Sequence, residues 1–287
     1  MKKLIITADD YGMCDIVNKA IDDCVEAGLV TTTNVIVNME SLSAAGTLRT
    51  RYPKLSIGMH WNLTSGKPVS PINEVSSLVN PTTGEFYSVS QFIKRYRKGL
   101  LSKKEIELEL QRQYDIFKSL CGEADYWNTH ENSALDFKTY AMFNEVALRN
   151  GIKSTRTFRR VYVQDKRIEG VIANIKEYIK RVALDVWFGI IIPKTGTRLP
   201  EGRVIYFDSK QKTESLQNIC ENIQWGRKSI IELVVHPSIS GEHRFFGTLS
   251  DVRIKEWQMF SNIETKSHIE CNGVSLVGFK EINDGKA

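Results

Sequence analysis

The chain has 287 residues, 41% hydrophobic and 25% charged, with a formal net charge of +5. This is the composition of a soluble globular protein with a sizeable core, and it excludes disordered and fibrous classes. Lys and Arg are interleaved with Glu and Asp outside small clusters such as "KRYRKG" and "TRTFRR", so a solvated surface is expected rather than a nucleic-acid stripe.

Near the N-terminus "LIITA" reads as a buried strand, stopped by the two adjacent acids and glycine of "ADDYG". The apolar run is too short for an export signal or a membrane span, and carboxylates end it; a cytoplasmic protein with no membrane contact is the expectation. In "CDIVNKAIDDCVEAG" the apolar residues Ile16, Val17, Ala20, Ile21, Cys24 and Val25 make one helical stripe, and Gly28 stands at the C-terminal end. "TNVIVNM" is a second strand, "SLSAAGTLRTRYP" a weaker helix and "LSIGMH" a third strand. From 61 to 87 the chain is rich in Pro, Gly, Ser and Asn, which marks a long active-site loop.

"SKKEIELELQRQYDIFKSLCG" opens with Ser102 and Glu105 in capping-box spacing and carries Ile106, Leu110, Tyr114, Phe117 and Leu120 on one side. "ADYWNTH" is then a strand, "FKTYAMFNEVALRNG" a helix and "IKSTRTF" a strand. Residues 159–201 form an irregular insertion with a helix around "VIANIKEYIKRVA", followed by "LDVWFGIII", which suits strand or helix. "RVIYFD", "ESLQNICENI", "SIIELVVH", "SDVRIKEWQMFSNIE" and "VSLVGF" then restore the strand-helix alternation. Repeated units of this kind imply parallel pairing with right-handed crossovers. With no linker and no internal repeat, 1–287 is expected to be a single domain, a distorted (β/α) TIM-like barrel of mainly parallel strands. The first turn lacks G-x-G-x-x-G, which disfavours a dinucleotide site.

Five cysteines, Cys14, Cys24, Cys121, Cys220 and Cys271, are widely spaced, with no C-x-x-C pair, the pattern of reduced core thiols rather than a disulfide frame or a zinc knuckle. Three of the five histidines, His60, His130 and His236, terminate apolar strands, as do Asp9 and Asp10. In a barrel those strand ends converge on one mouth. Two imidazoles and one carboxylate there suit a divalent ion, and a second carboxylate, close but not bound, can take a proton from a water. The ion also offsets the repulsion between the paired acids, ~1 kcal/mol or more at short range in a wet site. Trp61 and Trp127, beside these residues, suit either core packing or stacking on a sugar ring.

At these positions the sequence resembles the YdjC-like carbohydrate deacetylases. The family opens with a strand ending N-A-D-D-F-G, here "TADDYG"; its G-[LM]-H-x-x-L-T segment followed by G-K-P is "GMHWNLTSGKP"; its D-S-H-x-H stretch is "NTHEN"; and its late E-[LV]-x-x-H-P is "ELVVHP". Asn128 stands where the family usually has Asp, Asn132 replaces a later His, and Ser238 follows "HP". A partner that orients His130 is therefore expected to be weaker or supplied elsewhere. The resemblance implies a barrel related to the polysaccharide deacetylases and hydrolysis of an N-acetyl group from an amino sugar or short chitooligosaccharide with one divalent ion, magnesium or zinc. It implies Asp10, His60 and His130 as ligands, Asp9 as general base and His236 as general acid, although the residues by themselves permit the two acids to exchange roles. Trp61, Asn62 and Arg156 are candidate substrate contacts; Arg156 could equally orient Asp9 or serve as a structural ion pair. The expected partner is a small carbohydrate, phosphorylated or not, and homo-oligomerisation is compatible with the pattern without being specified by it. A metal-dependent phosphoesterase or sugar-phosphate hydrolase, and an inactive sugar-binding barrel, are the alternative readings.

Overall fold

Lys2–Tyr11 form β1, the central strand of an eight-stranded sheet in the computed structural model. The structure describes residues 2–134, 137–161, 171–204, 223–246, 250–264, 266, 269 and 273–283. Every residue from Leu4 to Tyr11 is buried, as a parallel strand covered on both faces requires. β2 (Thr32–Val35), β3 (Ser56–Trp61) and β4 (Trp127–Thr129) follow on one side. On the other side lie β7 (Ile230–Val235), β6 (Gly202–Val204) and β5 (Arg160–Val161), and β8 (Val274–Leu276) pairs with the start of β1. Among the described residues all the ladders are parallel. The result is the expected α/β architecture, a parallel half-barrel of TIM-like type.

Helices cover the sheet through the faces that their spacing specifies. α1 (Asp15–Glu26) buries Val17, Ala20, Ile21 and Cys24. α2 is the single turn Leu48–Arg51, and α3 spans Val89–Arg97. α4 (Lys103–Cys121) begins where Ser102 Oγ accepts from the Glu105 N–H, and it buries Ile106, Leu110, Tyr114 and Phe117. The same face also buries Glu109 and Gln113. Glu109 accepts from the N–H groups of Val69 and Ser70, and Gln113 exchanges two hydrogen bonds with the Asn62 backbone. These bonds anchor the long 61–87 loop, which also buries Leu63, Val75, Leu78, Val79 and Phe86.

α5 (Phe137–Arg149) and α6 (Val171–Val186) match the expected helices. α6 runs on into a wider helical turn over Trp187–Ile191, so "LDVWFGIII" is helical. "IKSTRTF" differs from expectation: it makes only isolated bridges, Trp127 with Thr155 and Ser154 with Arg198, and β5 lies further on. Thr155 Oγ1 donates to the Trp127 carbonyl and Ser154 Oγ to Asn283. Such side-chain bonds compete with a regular ladder. The helix expected over 214–223 lies outside the described residues except for Ile223, as do Cys220, Cys271 and His268. Cys14, Cys24 and Cys121 are buried free thiols. Among the described residues no helix is long and apolar enough to cross a membrane.

Candidate metal centre

Side chains alternate faces along a regular strand, so adjacent acids should point in opposite directions. β1 avoids this with a bulge: Ala8 pairs with Thr33 and Tyr11 with Val35, three residues of β1 against two of β2. Asp10 within it has φ +78°, a left-handed conformation uncommon outside glycine. Asn34 Oδ1 accepts from the Asp10 N–H at 3.2 Å while Asn34 Nδ2 donates to Asp9 Oδ1 at 2.5 Å, so one amide clamps both acids. Gly12 completes the turn at φ +97°; a Cβ there would lie 2.6 Å from the Ile36 carbonyl oxygen.

Parallel register brings the other strand ends to the same side. His60 Nε2 lies 3.2 Å and His130 Nδ1 3.0 Å from Asp10 Oδ1. One ligand atom from each of the three residues falls within 4.8 Å of the others, and all three side chains are buried. Arg253 donates to the remaining oxygen, Asp10 Oδ2, at 2.6 Å, which leaves Oδ1 turned to the imidazoles. One carboxylate oxygen and two imidazole nitrogens converging in this way fit a divalent ion of the kind bound by mixed N/O sets.

Asp9 faces the same space but is held differently. Arg156 Nη1 and Nη2 donate to its two oxygens at 2.7 Å each, and Arg156 Nε donates to Glu232 Oε1 at 3.0 Å. His236 Nε2 stands 3.7 Å from Asp9 Oδ2, and the His236 backbone N–H donates to Glu256 Oε2 at 2.7 Å.

The charges respond to burial and to these partners. Burial works to raise the Asp9 pKa, but the Arg156 charge and hydrogen bonds, with His60 and His236, hold it well below the usual carboxylate range. Asp10 is likewise lowered, against burial, by Arg253 and His130. Burial works to lower His130, and the Asp10 carboxylate outweighs it and raises the pKa. Burial pushes His236 down to about 4, only partly offset by Asp9 and Asp10. Glu256 is raised well above the normal range by burial.

Two candidate substrate contacts occupy other roles. Trp61 is fully buried, donates Nε1–H to the Leu110 carbonyl at 2.9 Å and packs on Trp127 and Phe143. It is a core residue and offers no ring face to a sugar. Asn62 is also buried; its Oδ1 accepts from the Thr64 and Ser65 N–H groups, and Nδ2 donates to Asn38 and to the Ser65 carbonyl. It closes a turn in the long loop. Arg156 orients Asp9. Asn128, expected near His130, instead contacts His60, 2.6 Å from Nδ1. Near the end of β1, Met13, Asn38, Lys67, Glu85 and Arg244 line a cleft of 190 Å³.

Sequence reasoning missed Asn34, Glu232, Arg253 and Glu256. Glu232 did carry a signal, as an acid inside the apolar run "IIELVV". Arg253 and Glu256 are three apart on one buried helical face, a spacing that resembles any surface ion pair until the helix is docked.

Fold and site together define a parallel α/β half-barrel with a carboxylate–imidazole cluster suited to a divalent ion. The chain belongs to the YdjC-like protein family, whose model matches residues 3–270. It is 27% identical over 314 residues to the carbohydrate deacetylase of Xenopus laevis, covering 98% of each chain. It is 32% identical over 153 residues to the chitooligosaccharide deacetylase of Serratia marcescens, covering 53% of this chain and 58% of that one. The fold is shared with a proposed cellobiose-phosphate cleavage protein of Enterococcus faecalis V583, at a TM-score of 0.70, 22% identity and 98% coverage of both chains.

Proposed function

We propose that the protein is a metal-dependent hydrolase that removes an N-acetyl group from an amino sugar or short chitooligosaccharide. The carrying observation is the convergence of Asp10, His60 and His130, within 4.8 Å of one another, beside a second carboxylate that belongs to a separate ion pair. The deacetylase relatives support the carbohydrate substrate.

In this reading Asp10, His60 and His130 hold one divalent ion, magnesium or zinc. A bound ion supplies Lewis acidity, polarising an amide carbonyl and acidifying a water. Asp9, kept ionised by Arg156, would take a proton from the attacking water as general base. Arg156 fixes both Asp9 oxygens and so aims its free lone pairs. His236 is neutral at the start, because burial depresses it, and it faces the Asp9 oxygen across 3.7 Å. A proton collected by Asp9 can pass to His236 Nε2 and from there to the departing amine. Asp9 and His236 are thus the catalytic pair.

The test is acetate release from N-acetylglucosamine oligomers, with and without phosphate, after chelation and re-addition of single metals. Metal-restored acetate release is the expected result. Phosphate release without acetate would instead favour a phosphoesterase, and sugar binding without either product would favour a binding barrel.

A further inference from the structure

Asn128 on β4 is the register partner of His60 on β3, and its side chain is buried between four groups. One end of its amide lies 2.6 Å from His60 Nδ1. The other end lies 2.8 Å from Asn34 Nδ2, 3.0 Å from each terminal nitrogen of Arg156 and 3.3 Å from Asp9 Oδ1. An amide has an acceptor end and a donor end, and its surroundings decide which faces where.

Arg156 and the Asn34 NH2 group can only donate. With its oxygen toward them, Asn128 accepts from Arg156 and faces an Asn34 NH2 already engaged with Asp9 and Tyr126, and its own NH2 donates to His60 Nδ1. A neutral imidazole that accepts at Nδ1 carries its proton on Nε2. Asp10 Oδ1 stands 3.2 Å from that nitrogen and receives it. The bonds to Arg156 and His60 are then made, while the bond to Asp9 Oδ1 is forgone, and His60 has no lone pair left to offer beside Asp10.

To serve as a ligand, His60 must free Nε2 and carry its proton on Nδ1, where it needs an acceptor 2.6 Å away. Asn128 supplies one only with its amide turned by half a turn. Its NH2 then faces Asp9 Oδ1 and can donate to it, while Arg156 loses an acceptor. We infer that Asn128 is a two-position coupler: when His60 gives up Nε2 to a cation, the amide rotates and shifts a hydrogen bond onto Asp9. The inference rests on the metal-binding reading above. It makes the resting orientation of Asn128 a brake on metal entry, and it ties the hydrogen bonding of the base to occupancy of the site. A carboxylate at this position would accept at both ends and need no rotation.

The test is long-range proton–nitrogen correlation NMR on histidine-labelled full-length protein at pH 8, with the His60 signals assigned by their loss in His60→Gln. In metal-free wild type the expected result is a proton on Nε2 and a bare Nδ1, reversed after zinc is added. Asn128→Asp should carry the proton on Nδ1 without zinc, and in equilibrium dialysis it should bind zinc about 10- to 100-fold more tightly, the range for partners that orient a metal ligand. Zinc retained by a wild type whose His60 already bears a proton on Nδ1 overturns the coupler and leaves the metal reading intact. The coupler also falls if Asn128→Asp leaves the tautomer unchanged. Zinc retained by neither protein overturns the metal reading and this inference together.

Discussion

Arg156 grips Asp9 with two parallel hydrogen bonds of 2.7 Å while its third nitrogen, Nε, holds Glu232 at 3.0 Å. One buried cation thus serves two buried carboxylates, and removing it strands both. Arg156→Met is expected to lower the free energy of unfolding by about 3–5 kcal/mol, the usual cost of breaking a buried pair from one side. Arg156→Lys should recover only part of that, because an ammonium cannot make the paired contact. Urea denaturation of the three proteins decides, and an unchanged midpoint for Arg156→Met would remove Arg156 from the role assigned to it.

Asp9→Asn keeps the shape of the side chain and removes the proton acceptor. Acetate release should fall by about 100- to 10,000-fold, the range for loss of a general acid–base group, while zinc retention in dialysis stays near wild type. Normal turnover would transfer the role of base away from Asp9. Loss of zinc together with turnover would mean that the two acids are exchanged.

Metal binding should also be visible as stability. A ligand present at 100 times its Kd stabilises the folded state by about 2.7 kcal/mol, so zinc or magnesium added to chelated protein should raise its melting temperature. His60→Ala should abolish the rise, and a rise that survives in that variant would place the ion elsewhere.

The pH dependence of the metal-free protein should bear the mark of His236. The unfolded chain takes up this proton near 6.5 and the folded site only near 4. Between those values the unfolded state binds more protons, so the stability that neutral His236 contributes is whole above about 6.5 and drains away as pH falls toward 4. His130, raised by Asp10, acts in the opposite sense: its contribution is present below its unfolded value and is lost as pH rises through the folded one. The difference between wild type and His236→Gln isolates the first effect. Urea midpoints in the presence of chelator should fall less steeply for the variant from pH 6.5 to 4, and parallel curves would refute the neutral imidazole, whose side chain is only partly buried.

Trp61→Phe separates core from substrate contact. The change removes the 2.9 Å bond to the Leu110 carbonyl, which keeps its donor within α4, and opens space beside Trp127; the lost hydrogen bond should cost about 0.5–1.5 kcal/mol, with a further loss for the space. KM for the sugar should not move. A raised KM at unchanged stability would restore Trp61 to the binding site.

Much of the site was legible because its chemistry sits at punctuation points. His60, His130 and His236 each close an apolar run, and the parallel alternation of strands and helices implies that such ends meet. Arg156 was visible at the end of "IKSTR", but whether it faced a sugar or Asp9 depended on a partner 147 positions away. Trp61 follows His60 directly, and only the packing of α4 shows that its ring points inward.

The sequence by itself determined most of the strand and helix pattern, the class of fold and the five strand-end residues, because hydrophobic period and residue type are local properties that a chain displays before it folds. The tertiary structure decided how the paired acids share a side, through the bulge of β1 against β2 and the Asn34 clamp. It also decided how the acids are engaged, both oxygens of Asp9 by Arg156 and one of Asp10 by Arg253, and which ring nitrogen of His60 meets Asn128. These are contacts between segments far apart along the chain, and their register and direction exist only once the strands have paired.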